Sequence, residues 1–140
     1  MNVSVKPVEI KNRISRWGLI RFQIQAWCSM RNIQISNSDL DMLSLLAVTE
    51  KTELNSFCDT LVKTELSTGP RIKKQNGREK EYKFVFNSSQ SARNAISKMS
   101  DLGLIMKQGK SHIKICINPA IEIFKDQNVL LTYKLLCIES

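Results

Sequence analysis

Apolar residues recur every three or four positions in two neighbouring segments, which predicts two helices. The first covers residues 40–48 and follows a polar run in which Ser38 and Asp41 resemble a capping box. The second covers residues 54–62 and is stopped by the Ser-Thr-Gly-Pro sequence at residues 67–70. We therefore expect a pair of amphipathic helices in this part of the chain.

A third helix is predicted over residues 89–102. The pair Asn87-Ser88 offers a polar cap at its start, and Gly103 provides a C-terminal stop. The apolar side, which we expect to face the core, consists of Ala92, Ile96, Met99 and Leu102.

Strands are predicted on both sides of this third helix. Residues 104–107 and 112–117 form two strands joined by the four-residue loop at 108–111, which indicates a hairpin. Residues 82–86 carry an aromatic side chain at every second position, as in a half-buried strand. The basic residues 71–80 surround an Asn-Gly turn signal and are predicted to be a loop.

The remaining segments are assigned to extended structure. Residues 1–16 are predicted to be a basic arm, and the apolar run at 129–138 a C-terminal strand. Residues 20–26 alternate strictly between apolar and polar positions, and their β-branched and aromatic content favours a strand. The apolar residues of that segment also fit helical spacing, so a helix stays open there.

The charge of the chain is segregated. Twenty-one basic and 13 acidic residues give a formal net charge of +8, which predicts a polyanionic partner. Residues 35–66 run against this excess, with six acidic and two basic residues. We therefore expect the two helices of that segment to face away from a bound polyanion.

The composition restricts the class of protein. At 42% hydrophobic residues the chain is too apolar for a disordered protein, and its 140 residues suit one domain, with or without arms. No apolar run approaches the length of a membrane span, so no membrane partner is expected. The N-terminal residues lack an apolar signal core, and we expect a cytoplasmic protein.

The residues that carry enzymatic or metal chemistry are sparse. Cys28, Cys58, Cys116 and Cys137 lie far apart, and His112 is the only histidine. We expect buried free thiols and no zinc site. Because no nucleophile–base pair, glycine-rich phosphate loop or carboxylate cluster is present, we expect no enzymatic activity and no cofactor.

The stretch from Ser88 to Pro119 carries the most specific pattern of the chain. It contains a polar cap, a helix with the sequence Arg-Asn-Ala-Ile-Ser-Lys, a Leu-Gly-Leu-Ile exit and a Gly-Lys hairpin. In these features it resembles the recognition helix and wing of winged helix-turn-helix proteins. With the two preceding helices, the resemblance covers about residues 36–119. The Ile-Asn-Pro sequence after the wing is similar to that of some phage and plasmid replication initiators.

The resemblance implies an α+β fold with a winged helix-turn-helix core of three helices and a β-hairpin wing. Proteins of this class normally have a short turn before the recognition helix, whereas this chain has residues 67–87 as an insert with a strand and a loop. We expect extra strands from both termini. The predicted divisions are a basic arm and strand at 1–35, the winged-helix domain at 36–119 and a strand segment at 120–140.

The polar side of the third predicted helix has side chains that suit DNA. Gln and Asn pair with adenine edges, Arg pairs with guanine, and Ser and Lys contact phosphate. The predicted DNA-binding residues are Gln90, Ser91, Arg93, Asn94, Ser97 and Lys98 on the helix, Lys107, Lys110, His112 and Lys114 on the wing, and Arg71, Lys73, Lys74, Arg78 and Lys80 on the inserted loop.

Two functional hypotheses follow. The first is a non-enzymatic winged-helix DNA-binding protein of phage, plasmid or bacterial origin. In it, recognition helix 89–102 lies in the major groove of double-stranded DNA and wing 104–117 lies on the backbone. The alternative is an assembly subunit of a phage particle, such as a ring, connector or tail component, located in the virion. There the fold is a packing module, and the terminal arms join copies of the chain or other subunits into an oligomer.

Overall fold

The computed structural model describes residues 16–123, and the predicted C-terminal strand lies outside the described residues, as does the predicted arm up to residue 15. Within 16–123 the fold is α+β, as predicted, with four helices and two antiparallel sheets. The helices are α1 (Arg16–Met30), α2 (Asn37–Thr49), α3 (Leu54–Leu61) and α4 (Ser89–Asp101). The strands are β1 (Lys51–Glu53), β2 (Arg71–Gln75), β3 (Arg78–Tyr82), β4 (Ile105–Gln108) and β5 (Lys114–Ile117). One sheet has the order β1-β5-β4, and the other is the β2–β3 hairpin.

A single hydrophobic core joins the helices to the three-stranded sheet. Side chains from every helix and from the central strand β5 are buried in one cluster, which includes Ile24, Leu43, Leu61, Ile96 and Ile115. Burial of side chains of this size stabilises a fold by about 1.5–3 kcal/mol each. The helix α1 therefore belongs to the same core as the three helices that follow it.

The prediction of a strand over residues 20–26 is wrong, because this segment lies within α1. Ile20, Ile24 and Cys28 are buried at intervals of four residues, whereas Phe22 is 49% exposed. A strand would have placed Phe22 on the same face as Ile20 and Ile24. The helical period prevails because α1 packs one side against α2. The described chain thus has a helix where an extra N-terminal strand was expected.

The start of α2 differs from the predicted capping box. Ser36 is the N-cap, and its hydroxyl accepts a hydrogen bond from the backbone N of Asp39 at 3.1 Å. The carboxylate of Asp39 in turn accepts from the backbone N of Ser36 at 3.4 Å, so the box is Ser36 with Asp39 instead of Ser38 with Asp41. Both Asp39 and Asp41 are buried. The two carboxylates of α2 therefore lie inside the fold instead of on its surface.

The segment predicted to be a basic loop is a β-hairpin. Its two-residue turn consists of Asn76 and Gly77, which both have positive φ angles (54° and 75°), as a type I′ turn requires. The strands β2 and β3 consist mostly of charged residues and lack the apolar alternation that indicates a strand. The sequence therefore predicts the turn but not the two strands.

The predicted half-buried strand at residues 82–86 is mostly absent. β3 ends at Tyr82, and Phe84 makes one isolated bridge with Glu65 and is 38% exposed. The residue that enters the core here is Val85, which is 1% exposed. Of the three aromatic residues, Phe86 packs against the edge of the core, whereas Phe84 is exposed.

The third predicted helix is confirmed, and a hairpin follows it as predicted, with residues 109–113 between its strands instead of 108–111. Ser88 caps α4 through a 3.1 Å hydrogen bond from the backbone N of Ser91. Ala92, Ile96 and Met99 are fully buried. Leu102 departs from the prediction: it lies beyond the last turn of α4, is 41% exposed and does not close the apolar side.

Candidate nucleic-acid interface

The side of α4 opposite the core is polar and exposed. Gln90, Asn94, Ser97 and Lys98 all lie there, and none of the residues from 89 to 98 is acidic. Asp101 is exposed at the last position of the helix, which places its negative charge beyond this stretch. The helix therefore presents amide, hydroxyl and ammonium groups on a rigid support.

Two of these side chains are already paired with each other. Gln90 Nε2 donates to Asn94 Oδ1 at 3.0 Å, one helical turn apart on the surface. The pair still has Gln90 Oε1 as an acceptor and Asn94 Nδ2 as a donor. An adenine presents the complementary groups, the N6 donor and the N7 acceptor, in the major groove. The arrangement suits the recognition of one adenine by two residues.

Arg93 is turned towards α3. Its Nη2 donates to Asn55 Oδ1 in the first turn of α3 at 3.0 Å, and the side chain is half-buried. The guanidinium is thereby held at the junction of the two helices, beside the exposed face of α4. Asn55 was missed by the sequence analysis, because a single Asn in a helical turn carries no pattern.

The β4–β5 hairpin brings one of its predicted cations to α4. Lys107 is the cross-strand partner of the buried Ile115, so it projects from the sheet face that covers the core. Because β4 is an edge strand, the side chain reaches past the sheet, and its Nζ donates to Ser97 Oγ of α4 at 3.4 Å. Lys107 and Ser97 therefore form one continuous polar surface between helix and hairpin.

Lys114 lies on the other face of the same sheet. It pairs with Gln108 on one side and with Glu53 of β1 on the other, so an acidic residue stands beside it. Lys51 Nζ donates to Gln108 Oε1 at 2.7 Å and is a further cation of this face, which the sequence analysis missed. The predicted wing cations are thus divided between two faces of the sheet.

The loop at the tip of this hairpin carries the remaining wing residues. Lys110 and His112 are both exposed. The loop turns at Gly109, which has a φ of 98°, and a Cβ there would lie 2.9 Å from the backbone oxygen of His112. The loop conformation therefore requires glycine at this position.

The β2–β3 hairpin divides its basic residues between two faces. Lys73 pairs directly with Lys80, and Lys74 pairs with Glu79. Since alternate residues of a strand face opposite ways, Arg71, Lys73, Arg78 and Lys80 share one face, and Lys74 lies on the other.

The three cysteines within residues 16–123 are free thiols. Cys28 and Cys58 are free and buried, as predicted, Cys116 is free and half-buried, and Cys137 lies outside the described residues. Among residues 16–123, no group of three His, Cys, Asp or Glu side chains is placed to hold a metal ion. In the same range, no helix has the length and apolar character needed to span a bilayer.

Comparisons of the chain with protein-family models, with curated proteins and with solved structures gave no match.

Proposed function

We propose that this protein is a non-enzymatic winged-helix protein that binds double-stranded DNA. In this proposal α4 is the recognition helix in the major groove, and the β4–β5 hairpin is the wing along the backbone. The helices α2 and α3 complete the core of three helices.

The order of elements supports this proposal. The helices occur in the order α2, α3 and α4, and the β4–β5 hairpin comes directly after α4. The winged-helix resemblance implies this order of helices and hairpin. The short strand β1 pairs with β5, so the hairpin is attached to the body of the protein on one side. The insert between α3 and α4 forms its own hairpin and leaves the contact between α3 and α4 intact.

One observation carries the proposal. α4 buries Ala92, Ile96 and Met99 completely, while its other side exposes Gln90, Asn94 and further polar groups that continue onto Lys107 of the hairpin. Amide side chains bond to base edges, and cationic side chains contact phosphates. This face of the molecule therefore offers both kinds of DNA contact side by side.

Titration of the protein onto duplex DNA at two salt concentrations tests the proposal. We expect log K to fall linearly with log salt, because lysines that contact phosphates release counterions. Asn94→Ala and Gln90→Ala are each expected to weaken binding to the preferred sequence by about 1–3 kcal/mol and to relax its preference for an A·T pair. Gln25→Ala is the matched control, since Gln25 is an exposed amide on α1.

The proposal is wrong if the protein shows no salt-dependent binding to duplex DNA, or if Gln25→Ala weakens binding as much as Gln90→Ala. Formation of closed rings with no affinity for duplex DNA would favour the assembly-subunit hypothesis instead.

A further inference from the structure

The β2–β3 hairpin separates its charges by face. One face carries four cationic residues, Arg71, Lys73, Arg78 and Lys80, and within the two strands it has no acidic residue. The other face carries Ile72, Lys74, Glu79 and Glu81. The register and the alternation of side chains therefore turn a mixed sequence into one basic face and one mildly acidic face.

This separation has a cost in the isolated protein. Lys73 stands directly opposite Lys80, and like charges in that position destabilise a hairpin. Both ammonium groups lie near the Tyr82 ring, at 5.7 Å and 5.4 Å from its centroid, which offsets part of the repulsion. Protection of an exposed strand edge does not explain the pattern, because mixed signs on each face would protect the edges equally well.

The hairpin projects from the body of the protein on a defined root. Apart from the half-buried Arg71 and Tyr82, every residue of the two strands is exposed. At the root, Val85 N donates to Thr64 O at 2.8 Å and Leu66 N donates to Lys83 O at 3.0 Å. Arg71 Nη2 donates to the Val85 carbonyl at 3.5 Å, so Arg71 is part of this root. Lys73, Arg78 and Lys80 form the exposed part of the basic face, which is held in a fixed direction and is available to a large partner.

We propose that the β2–β3 hairpin is a phosphate-binding arm that uses one face only. The exposed part of the basic face, formed by Lys73, Arg78 and Lys80, lies along the phosphate backbone of duplex DNA, and the face of Lys74 and Glu79 points away from it. A two-stranded ribbon has the dimensions to follow a groove of the duplex. This inference rests on the proposed function. Of the five cations predicted in the basic loop, it assigns phosphate contact to the three exposed ones on one face, Lys73, Arg78 and Lys80.

Two neighbouring lysines provide the test. Lys73→Ala and Lys74→Ala remove the same charge from adjacent positions of one exposed strand. They differ in the face that they alter and in the cross-strand partner, which is Lys80 for Lys73 and Glu79 for Lys74. In duplex titrations over a range of salt concentrations, Lys73→Ala is expected to reduce the slope of log K against log salt by about 1, and Lys73→Ala with Lys80→Ala by about 2. Lys74→Ala is expected to leave slope and affinity unchanged.

Thermal unfolding separates binding from folding. Lys73→Ala removes one member of a like-charged pair and is expected to keep or raise the melting temperature, so weaker binding is not due to unfolding. If Lys73→Ala and Lys74→Ala weaken DNA binding equally, or if neither changes it while the wild type binds, the one-faced arm is wrong and the proposed function stands. If the wild type does not bind duplex DNA, both proposals fall.

Discussion

Ser67 donates two hydrogen bonds to the buried carboxylate of Asp41, one from its backbone N at 2.7 Å and one from its hydroxyl at 2.6 Å. The two residues are 26 positions apart, so this contact ties the segment that leads to the β2–β3 hairpin onto α2. Arg21 of α1 lies on the same carboxylate, with Nε at 2.9 Å from Oδ1. One buried acidic group thus joins three segments of the chain.

Removal of this carboxylate is expected to destabilise the fold. Asp41→Ala leaves the Arg21 side chain, which is 20% exposed, without its charged partner, and it deprives Ser67 of both acceptors. We expect the free energy of unfolding in urea to fall by about 2–4 kcal/mol. Asp59→Ala, at an exposed position of α3, is the control and is expected to change it by less than about 0.5 kcal/mol. Equal effects of the two variants would contradict the structural role of Asp41.

Asn55 is expected to act on DNA binding through Arg93. Because Asn55 Oδ1 accepts from Arg93 Nη2 at 3.0 Å, Asn55→Ala frees the guanidinium from its position beside α4. We expect Asn55→Ala to weaken duplex binding, and the double variant with Arg93→Ala to bind no more weakly than Arg93→Ala alone. The measurement is a double-mutant cycle, with a coupling of about 0.5–1.5 kcal/mol expected. Additive effects would mean that the two residues act independently.

Gly109 is expected to tolerate substitution less well than Gly77. Both have positive φ angles, but only at Gly109 does a Cβ meet a backbone atom, the His112 oxygen at 2.9 Å. An Ala at a left-handed position costs about 1–2 kcal/mol from the backbone alone. Gly109→Ala is therefore expected to lower the melting temperature more than Gly77→Ala does. The reverse order in thermal unfolding would show that the loop of the β4–β5 hairpin is not built as described.

The buried thiol of Cys58 is expected to make the free energy of unfolding fall as the pH rises into the alkaline range. Burial raises the pKa of its thiol, and the carboxylate of Asp59 adds to this, while the Arg93 guanidinium opposes the shift. The folded state therefore holds the thiol proton at pH values where the unfolded chain has lost it. This contribution is complete below the ordinary pKa of 9.0 and is lost as the pH rises through the raised value.

The measurement is the free energy of unfolding across that alkaline range. Wild type is expected to lose more of it than Cys58→Ala, which has no thiol to ionise at this position. Cys116→Ala, at a half-buried position, serves as the comparison for a cysteine nearer the surface. A loss that is as steep in Cys58→Ala as in wild type would exclude the buried thiol as its source.

Local signals were sufficient for the part of the chain that carries the candidate site. Three signals in this part are local: the Ser88 cap, the helical spacing of Ala92, Ile96 and Met99, and the turn at Gly109. Each of them depends only on residues close to it in the sequence. Caps, helical periods and glycine turns are decided by neighbours along the chain, and α4 and the β4–β5 hairpin accordingly have the predicted order and face.

The tertiary structure decided the features that depend on distant partners. Residues 20–26 fit two periods, and packing of α1 against α2 selects the helix. Aspartate is a residue type usually found on protein surfaces, yet Asp41 is buried and bonded to Arg21 and Ser67. The cations of the two hairpins are sorted by strand register, which places Lys107 beside α4 and Lys74 away from Lys73. The amino-acid sequence determined which charges the chain carries, and only the pairing of strands and the packing of helices determined which of them share a surface.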